Sequence, residues 1–539
     1  MKRSKLTMYM LTALSVIGLS SCTDLEIEET DSIISDGFQG LADPASTVDE
    51  LYNRLNGQYG DQANLFALTE VTTDSYLIPT RGADWGDNGL WRVLHSHSWD
   101  GQHQFIITVF NQYNGNQLLA SQILDPRSNP SANDIGEASL HRAFSMWIIL
   151  DLYGQVPFRD TSLPSSTLPE VLTGQAAVDF IIADLDQAIS NLPSVAAGNV
   201  ETVTGSKAAA RYLKAKVLLN KHIYLGTAPD SGDMAQVISL VDEIAGEGYE
   251  LQSGYFDLFK SDADTETIWS LESSTGNRIF NGLHYNSTFQ SGGGWNGFST
   301  LAEYYDLFEG DENSNRYDVD GVTPLDGQEE RRGGVPPRGL DFTGADGTSD
   351  TNDDGIWDGS NVGFGFLINQ QYGPTGTPLE DRQGAPLTFK RQFTDGTGAV
   401  SFINNDETTG IRLLKYNPRH NDNGQVNHEI VFRYADAHLM KAEAMLRSGG
   451  DPTAMVNELR TIRNATPLGT VTAQNLIDER GRELYAEIWR RNDLIRFGQY
   501  GKDWLFKDGG SINNDTYNRF PIPPAQLLAN PNLVQNPGY

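Results

Sequence analysis

The chain has 539 residues, of which 71 are acidic and 39 are basic, so its formal net charge at pH 7 is −32. A body this acidic repels nucleic-acid phosphates and anionic membrane surfaces, which argues against both as direct partners. The hydrophobic share of 38% together with 54 glycines is typical of a folded globular protein. Cys22 is the one cysteine, so no intrachain disulfide can form.

The first 22 residues have the pattern of a bacterial export and lipidation signal. A basic start with Lys2, Arg3 and Lys5 precedes an apolar stretch over 6–19, which is too short to span a bilayer comfortably. The small residues before Cys22 resemble a lipobox, in which the cysteine is acylated after cleavage. We expect a signal peptide over 1–21 and an acidic tether over 22–44. An ordinary secretory signal with a coincidental cysteine is the alternative.

Helical periodicity dominates the chain between 45 and 250. Apolar residues recur at helical spacing over 204–224, and similar patterns predict helices near 47–58, 103–124, 135–153, 176–191 and 234–245. Residues 251–428 are instead rich in Gly, Asp, Asn and Thr, which predicts a loop-rich lobe with short strands.

Helical signal returns over 429–539. It predicts one helix over 434–447, a second with Asp451 as N-cap and Pro452 at its first position, and a third over about 472–498. Helical pairs in succession favour a tetratricopeptide-like scaffold, although the strict 34-residue consensus is absent. The predicted fold class is therefore mainly α, with an irregular lobe inserted in the scaffold.

Several segments resemble the SusD/RagB family of outer-membrane nutrient-binding lipoproteins. These are Arg519-Phe520-Pro521-Ile522-Pro523, the chain end from Asn530, and the helical segments 433–444, 479–498 and 142–158. The resemblance implies a SusD-like fold and a non-catalytic, lipid-anchored protein on the outside of the outer membrane. It also implies that the protein binds a glycan and covers a SusC-like TonB-dependent transporter, with the loop-rich lobe towards the sugar.

A sugar-binding site needs flat aromatic side chains and converging hydrogen-bonding groups. Three tryptophans in periodic segments, Trp147, Trp269 and Trp489, are predicted to lie in the core, whereas four others lie among loop residues. We expect Arg81 and Asp84 to hold sugar hydroxyls while Trp85 stacks on the ring; a salt bridge between Arg81 and Asp84 that orders the loop is the alternative. The candidate glycan-binding residues are Arg81, Asp84, Trp85, Asn88, Trp91, Trp295 and Trp357.

An acidic loop in the irregular lobe has the spacing of a calcium site. Oxygen ligands stand at loop positions 1, 3, 5 and 9, a backbone carbonyl is available at 7, and glycine stands at 6. Asn361 replaces the usual glutamate at position 12, so a solvated acidic turn remains the alternative to a structural calcium ion. The candidate ligands are Asp350, Asn352, Asp354, Ile356 and Asp358.

The sequence favours binding without catalysis. It contains no Gly-x-Ser-x-Gly turn, no phosphate-binding loop and no spare cysteine nucleophile, and no cofactor is required. A lipid-anchored glycoside hydrolase and a lid that holds peptide rather than glycan are the alternatives. The negative charge favours a neutral glycan, and a β-glucan of the laminarin type is our first choice.

Overall fold

The computed structural model is rich in helices, and it describes residues 37–198, 200–259, 263–272, 278, 281–287, 293–315, 327–333, 365–373, 377–416 and 429–539. The predicted amphipathic helices are present, with ends within a few residues of the expected ones. In chain order the longer helices are α1 (Pro44–Tyr59), α2 (Gln104–Leu124), α3 (Ala132–Tyr153), α4 (Gly174–Asn191), α5 (Lys207–Leu225) and α6 (Ser231–Ala245). After the lobe follow α7 (Tyr434–Arg447), α8 (Thr453–Ile462), α9 (Ala473–Glu483), α10 (Arg490–Arg496) and α11 (Pro524–Ala529). Shorter helices are Asn64–Phe66, Leu90–His95 and Ala302–Tyr305.

Local signals explain where these helices begin and end. At the start of α3, Ser131 and Asp134 form a reciprocal capping box, and Gly154 ends the helix with a positive φ of 74°. The start of α8 differs from the prediction by one residue. Pro452 is the N-cap, and the Asp451 carboxylate accepts a hydrogen bond from the Thr453 amide at 2.9 Å.

The helices form one continuous stack. From α2 to α6 each helix packs against the next, and α7 then packs against α6 although about 190 residues of chain separate them. The strand before α7 pairs with a strand that follows α6, which joins the two helical parts. Buried hydrophobic residues form a core that runs without interruption from the stack into the loop-rich lobe. Trp147, Trp269 and Trp489 lie in this core, as predicted.

The described strands are short and pair two by two in antiparallel fashion. They are β1 (Val156–Phe158) with β2 (Glu170–Leu172), β3 (Thr267–Leu271) with β8 (Glu429–Arg433), β4 (Gly365–Leu367) with β7 (Arg412–Leu414), and β5 (Asn369–Gln370) with β6 (Thr388–Phe389). No described helix combines the length and the apolar character that a membrane crossing requires.

The helix predicted over 472–498 is wrong as one element, because a turn divides it into α9 and α10. Within that turn Ala486 and Ile488 have φ values of 61° and 67°, which residues other than glycine rarely adopt, and β-branched residues such as Ile488 least of all. The buried Lys415 compensates for the lost helical hydrogen bonds, because its Nζ donates to the Glu483 carbonyl at 3.2 Å and to the Tyr485 carbonyl at 2.7 Å. The break therefore depends on a residue 70 positions away, which helical periodicity does not reveal.

Buried ion pairs join the C-terminal helices. Glu443 on α7 accepts hydrogen bonds from Arg496 Nε and Nη2, both at 2.8 Å, and from Arg447 Nε at 2.7 Å. Burial raises the pKa of Glu443, but Arg496 and Arg447 outweigh burial and lower it to about 2. The folded state therefore keeps this carboxylate charged under acidic conditions in which an ordinary glutamate is protonated.

We expect Glu443→Gln to destabilise the protein by about 3 kcal/mol at neutral pH, because it leaves buried arginines short of a counter-charge. The unfolded chain binds the Glu443 proton near pH 4.5, whereas the folded chain binds it near pH 2. The stability from this group is thus complete above about pH 4.5 and is lost as the pH falls to about 2. Urea unfolding across this range measures both effects. Glu50→Gln, which breaks an exposed pair with Arg54, is the matched control and should cost under about 1 kcal/mol; equal losses would contradict the assignment.

Candidate glycan-binding surface

The loop from Thr80 to Gly89 is a tight turn. The Arg81 amide donates to the Asp84 carbonyl and the Asp84 amide donates to the Arg81 carbonyl, both at 2.9 Å, and Gly82 between them has a φ of 60°. Trp85 follows with a positive φ of 58°. Asp84 and Trp85 are both half-buried, and Trp85 packs against the hydrophobic core.

Arg81 does not reach the surface, which corrects the expectation that it holds sugar hydroxyls. Its side chain is only 2% exposed. The guanidinium donates inward to the Asn296 carbonyl at 2.9 Å, the Asp406 carbonyl at 2.7 Å and the Thr409 carbonyl at 2.9 Å. The alternative of a side-chain salt bridge with Asp84 is also absent, because Asp84 pairs with Arg382. Arg81 therefore joins its own loop to the segments around 296 and 406–409 by hydrogen bonds inside the protein.

The Trp85 side chain is held against the backbone of Trp295. The Trp85 Nε1 donates to the Trp295 carbonyl at 2.7 Å, although 210 residues separate them. Gly297 allows this approach, because a Cβ at this position would lie 2.7 Å from Trp85 Cζ2. Trp295 is 39% exposed, a large value for an indole. The loops thus hold the Trp85 indole against the Trp295 backbone, and of these two tryptophans one is half-buried and the other exposed.

Polar groups adjoin the two indoles. Asp84 Oδ2 accepts hydrogen bonds from the Tyr285 hydroxyl at 2.9 Å and from Arg382 Nη2 at 2.5 Å. The Arg382 guanidinium lies 3.9 Å from the centre of the Tyr285 ring, and its backbone amide donates to Glu407 Oε2 at 3.0 Å. We call Asp84, Trp85, Tyr285, Trp295 and Arg382 the loop surface. It combines apolar rings with charged hydrogen-bonding groups, as sugar recognition requires.

The charge state of Asp84 suits binding rather than proton transfer. Burial raises its pKa, but hydrogen bonds from Arg382 and Tyr285 outweigh burial and hold the pKa below the ordinary value. A carboxylate of this kind accepts hydrogen bonds at neutral pH, whereas a glycosidase general acid needs a raised pKa.

Two other predicted glycan-binding residues, Asn88 and Trp91, lie in or next to the same loop, one exposed and the other buried. Trp91 is 4% exposed, which corrects its expected role as a sugar platform. It lies on the short helix Leu90–His95, packs against Trp85 with ring centres 5.9 Å apart, and donates from Nε1 to the Asp87 carboxylate at 3.1 Å. Trp91 therefore supports Trp85 from behind. Asn88 is exposed with a φ of 52°, so its contact with a ligand stays a prediction.

The remaining predicted residues lie outside the described part of the chain. These are Cys22, Trp357 and the five candidate calcium ligands Asp350, Asn352, Asp354, Ile356 and Asp358. Among the residues that the structure does describe, no group of three or more His, Cys, Asp or Glu side chains is placed to hold a metal ion. His95, His97 and His103 instead pack among aromatic rings, and burial lowers the pKa of each.

Sequence reasoning missed Tyr285 and Arg382. In the sequence Arg382 lies 298 residues from Asp84 and Tyr285 lies 201 residues from it, so no local spacing predicts these contacts. A charged run at 380–382 followed by Gly384 was a weak signal for a functional loop.

The sequence profile of the SusD family matches residues 265–539, just over half of the chain, so the protein belongs to the SusD family. The starch-binding protein SusD of Bacteroides thetaiotaomicron is 28% identical over 530 residues, which cover 91% of this chain and 88% of that protein. Two solved structures show the same fold. A SusD-like protein of Bacteroides fragilis has a TM-score of 0.63 at 19% identity and covers 91% of this chain and 96% of its own. Surface glycan-binding protein A of Bacteroides uniformis has a TM-score of 0.62 at 18% identity, with coverages of 92% and 98%.

Because the Arg81 guanidinium is buried beneath the loops, its contribution to their stability can be tested directly by substitution. We expect Arg81→Met to destabilise the protein by about 3 kcal/mol, because the Asn296 carbonyl loses its hydrogen-bond donor and the Asp406 and Thr409 carbonyls each lose one of their donors. Arg382→Met, which removes a half-exposed guanidinium, should change stability by less than about 1 kcal/mol. Urea unfolding of both variants measures the difference. An Arg81→Met variant as stable as the wild type would show that the guanidinium is not needed for the loops.

Proposed function

We propose that the protein is a cell-surface lipoprotein that captures an oligosaccharide or polysaccharide on the loop surface and passes it to a SusC-like TonB-dependent transporter. The observation that carries the proposal is the pairing of Trp85 and Trp295 beside Asp84 and Arg382. A pyranose ring presents an apolar C–H face and a polar rim, and this surface offers a partner for each. The names of the relatives, which include a starch-binding and a surface glycan-binding protein, agree with this class of ligand.

The ligand that fits best is a neutral glycan. On the loop surface Arg382 is already paired with Asp84 and Glu407, so little positive charge is left to attract a polyanionic chain. The net charge of −32 opposes polyanions further. We take a β-glucan of the laminarin type as the first ligand to test.

The family and the N-terminal sequence support the proposed anchoring and the proposed partner. Acylation of Cys22 with two or more chains would hold the protein stably at the outer membrane, since one chain gives marginal binding. The transporter would then receive glycan from a protein that lies in the same membrane. The proposal includes no catalytic step, and the lowered pKa of Asp84 does not suit that residue to act as a general acid.

The proposal is tested by affinity electrophoresis of the chain lacking residues 1–21 through gels that contain laminarin or an acidic polysaccharide, with a reducing-end assay on the same mixtures. Retardation by a neutral glycan without new reducing ends supports capture. New reducing ends would favour the glycoside hydrolase, and no retardation by any glycan of a broad panel would favour a peptide-binding lid.

We expect Trp85→Ala and Trp295→Ala each to weaken glycan binding by about 2 kcal/mol, about thirtyfold in Kd, because each removes a stacking face. Leu528→Ala, which truncates another exposed apolar side chain far along the chain, is the matched control and should bind as the wild type does. Isothermal calorimetry measures the three affinities. Unchanged binding in both tryptophan variants would place the sugar elsewhere.

The predicted calcium loop is tested separately. If Asp350, Asn352, Asp354 and Asp358 hold calcium, the ion stabilises the folded protein by mass action. We expect the melting temperature to rise with calcium and to fall with a chelator, and Asp350→Asn with Asp354→Asn to abolish the difference. Identical melting temperatures under both conditions would favour the solvated turn.

A further inference from the structure

A cavity with a volume of about 500 Å³ lies between the last turns of α3 and α5, the end of α10 and the segment 514–519. It shares no residue with the loop surface. Small-molecule sites typically enclose about 300–1,000 Å³, so this cavity has room for a small organic ligand.

The lining of the cavity is apolar in one part and polar in another. Leu150 from α3, Ile223 from α5 and Ile495 from α10 supply aliphatic side chains, which are buried or half-buried. The polar part is formed mainly by the segment 514–519, in which Asp515 and Arg519 are exposed. A bare inorganic ion would leave the aliphatic groups without a partner. The lining therefore suits an organic molecule that has a hydrocarbon part and polar substituents.

Arg519 is held at the cavity by the residues around it. The next residue, Phe520, is buried, and its amide donates to the Leu152 carbonyl at 2.8 Å. The Arg519 side chain lies across Gly154, where a Cβ would approach Arg519 Nε to 2.9 Å, and Gly154 has a positive φ of 74°. The glycine thus leaves room for the guanidinium at the C-terminal end of α3, where the helix dipole favours a positive charge.

The Arg519 guanidinium makes no hydrogen bond and no ion pair with any residue that the structure describes. Asp515 lies four residues earlier in the same lining, but its carboxylate accepts from Asn518 Nδ2 at 3.1 Å instead. Asp151, the other acid of the lining, accepts from Asn492 Nδ2 at 2.6 Å. The guanidinium donors are therefore left for an acceptor from a ligand, and a carboxylate matches their planar geometry with two parallel hydrogen bonds.

The charge around the cavity is balanced, in contrast to the rest of the protein. Arg491 on α10 is buried beside the polar lining, where its Nη2 donates to the Asn518 carbonyl at 2.8 Å and its Nη1 lies 3.5 Å from Asp151 Oδ2. Arg491 and Arg519 thus stand beside Asp151 and Asp515, whereas the whole chain has a net charge of −32. The local charge therefore does not repel a small anion.

Free acceptors near Arg519 favour a ligand that also carries hydroxyl groups. The hydrogen bond from Asn518 Nδ2 occupies Asp515 Oδ1, and within the described ranges none reaches Asp515 Oδ2 or Asn518 Oδ1. The Thr516 hydroxyl is likewise not engaged by another described residue. A ligand hydroxyl can donate to either oxygen and can exchange a hydrogen bond with the threonine.

We propose that this cavity binds a small carboxylic acid that carries hydroxyl groups, of which a free sugar acid is the simplest example. The carboxylate pairs with Arg519, the hydroxyl groups bond to residues 515–518, and the C–H groups contact Ile223 and Ile495. The site does not depend on capture at the loop surface, so the protein has two ligand sites of different chemistry.

The test measures binding of D-glucuronate, D-galacturonate and D-gluconate to the full chain, purified in detergent, by isothermal titration calorimetry. We expect saturable binding of at least one acid. Glucose, in which a CH₂OH group replaces the carboxylate of glucuronate, should bind at least about tenfold more weakly than the acid. Arg519→Gln should weaken binding of the acid about tenfold or more, and Thr516→Val, which keeps the shape but loses the hydroxyl, about threefold. Arg54→Gln, which removes a guanidinium on α1 whose side chain is 38% exposed, is the matched control and should bind as the wild type does.

No binding of any of the three acids would overturn the site, as would equal affinities of the wild type and Arg519→Gln. Glucose bound as tightly as glucuronate would show that the carboxylate is not recognised, and inorganic phosphate bound as tightly as the acids would show that the hydroxyl groups are not; each result contradicts the proposal. Because Arg519 is exposed, unchanged melting temperatures check that its variant folds. Retardation by laminarin, measured on the same variants, should match the wild type. Protein that binds a sugar acid but is not retarded by any glycan refutes capture alone, and the reverse refutes this cavity alone.

Discussion

The buried carboxylate of Glu483 is the point on which the C-terminal half of the structure converges. It accepts hydrogen bonds from Arg433 at 2.7 Å, Arg463 at 3.0 Å and Arg331 at 3.2 Å, and all four side chains are almost fully buried. These arginines come from the end of β8, the end of α8 and the loop-rich lobe. Burial of such charges is costly unless each finds its partner, so strand, helix and lobe must assemble in one arrangement. The lobe is thereby attached to the rigid stack rather than carried as a separate unit.

Buried arginines also hold together the loops beneath the candidate site, but there they donate to other acceptors than carboxylates. Arg81 and Arg412 are buried and donate to backbone carbonyls and hydroxyls rather than to carboxylates. Both reach Ser299 and the Thr409 carbonyl, so two guanidiniums fix the segments around 296, 299 and 409 together. These hydrogen bonds give a surface made of loops the fixed conformation that helices and strands usually provide.

Prediction from the sequence succeeded where the decisive interactions were local. The periodicity of α2, α3 and α5 indicated their helices, and the position of Trp147 and Trp489 in periodic segments indicated burial. Prediction failed where a residue distant in the sequence determines the local structure. The break between α9 and α10 depends on Lys415, and the site depends on Tyr285 and Arg382, which contact Asp84 only after the lobe has folded. Arg81 was misplaced because an arginine in a glycine-bearing loop has the same local pattern whether it faces a ligand or the backbone beneath.

The hydrogen bond between the Trp85 indole and the Trp295 carbonyl bears on the thermodynamics of capture. Because the indole N–H is already committed, the ring cannot rotate to meet a sugar without breaking a bond of 2.7 Å. Much of the conformational entropy that a mobile aromatic would lose on contact has therefore been lost during folding. A glycan whose shape brings a sugar face onto the fixed Trp85 ring gains from this rigidity, whereas a chain that needs the ring in another orientation must break the hydrogen bond. Selection among glycans would then depend on the shape of the chain more than on the identity of its individual hydroxyl groups.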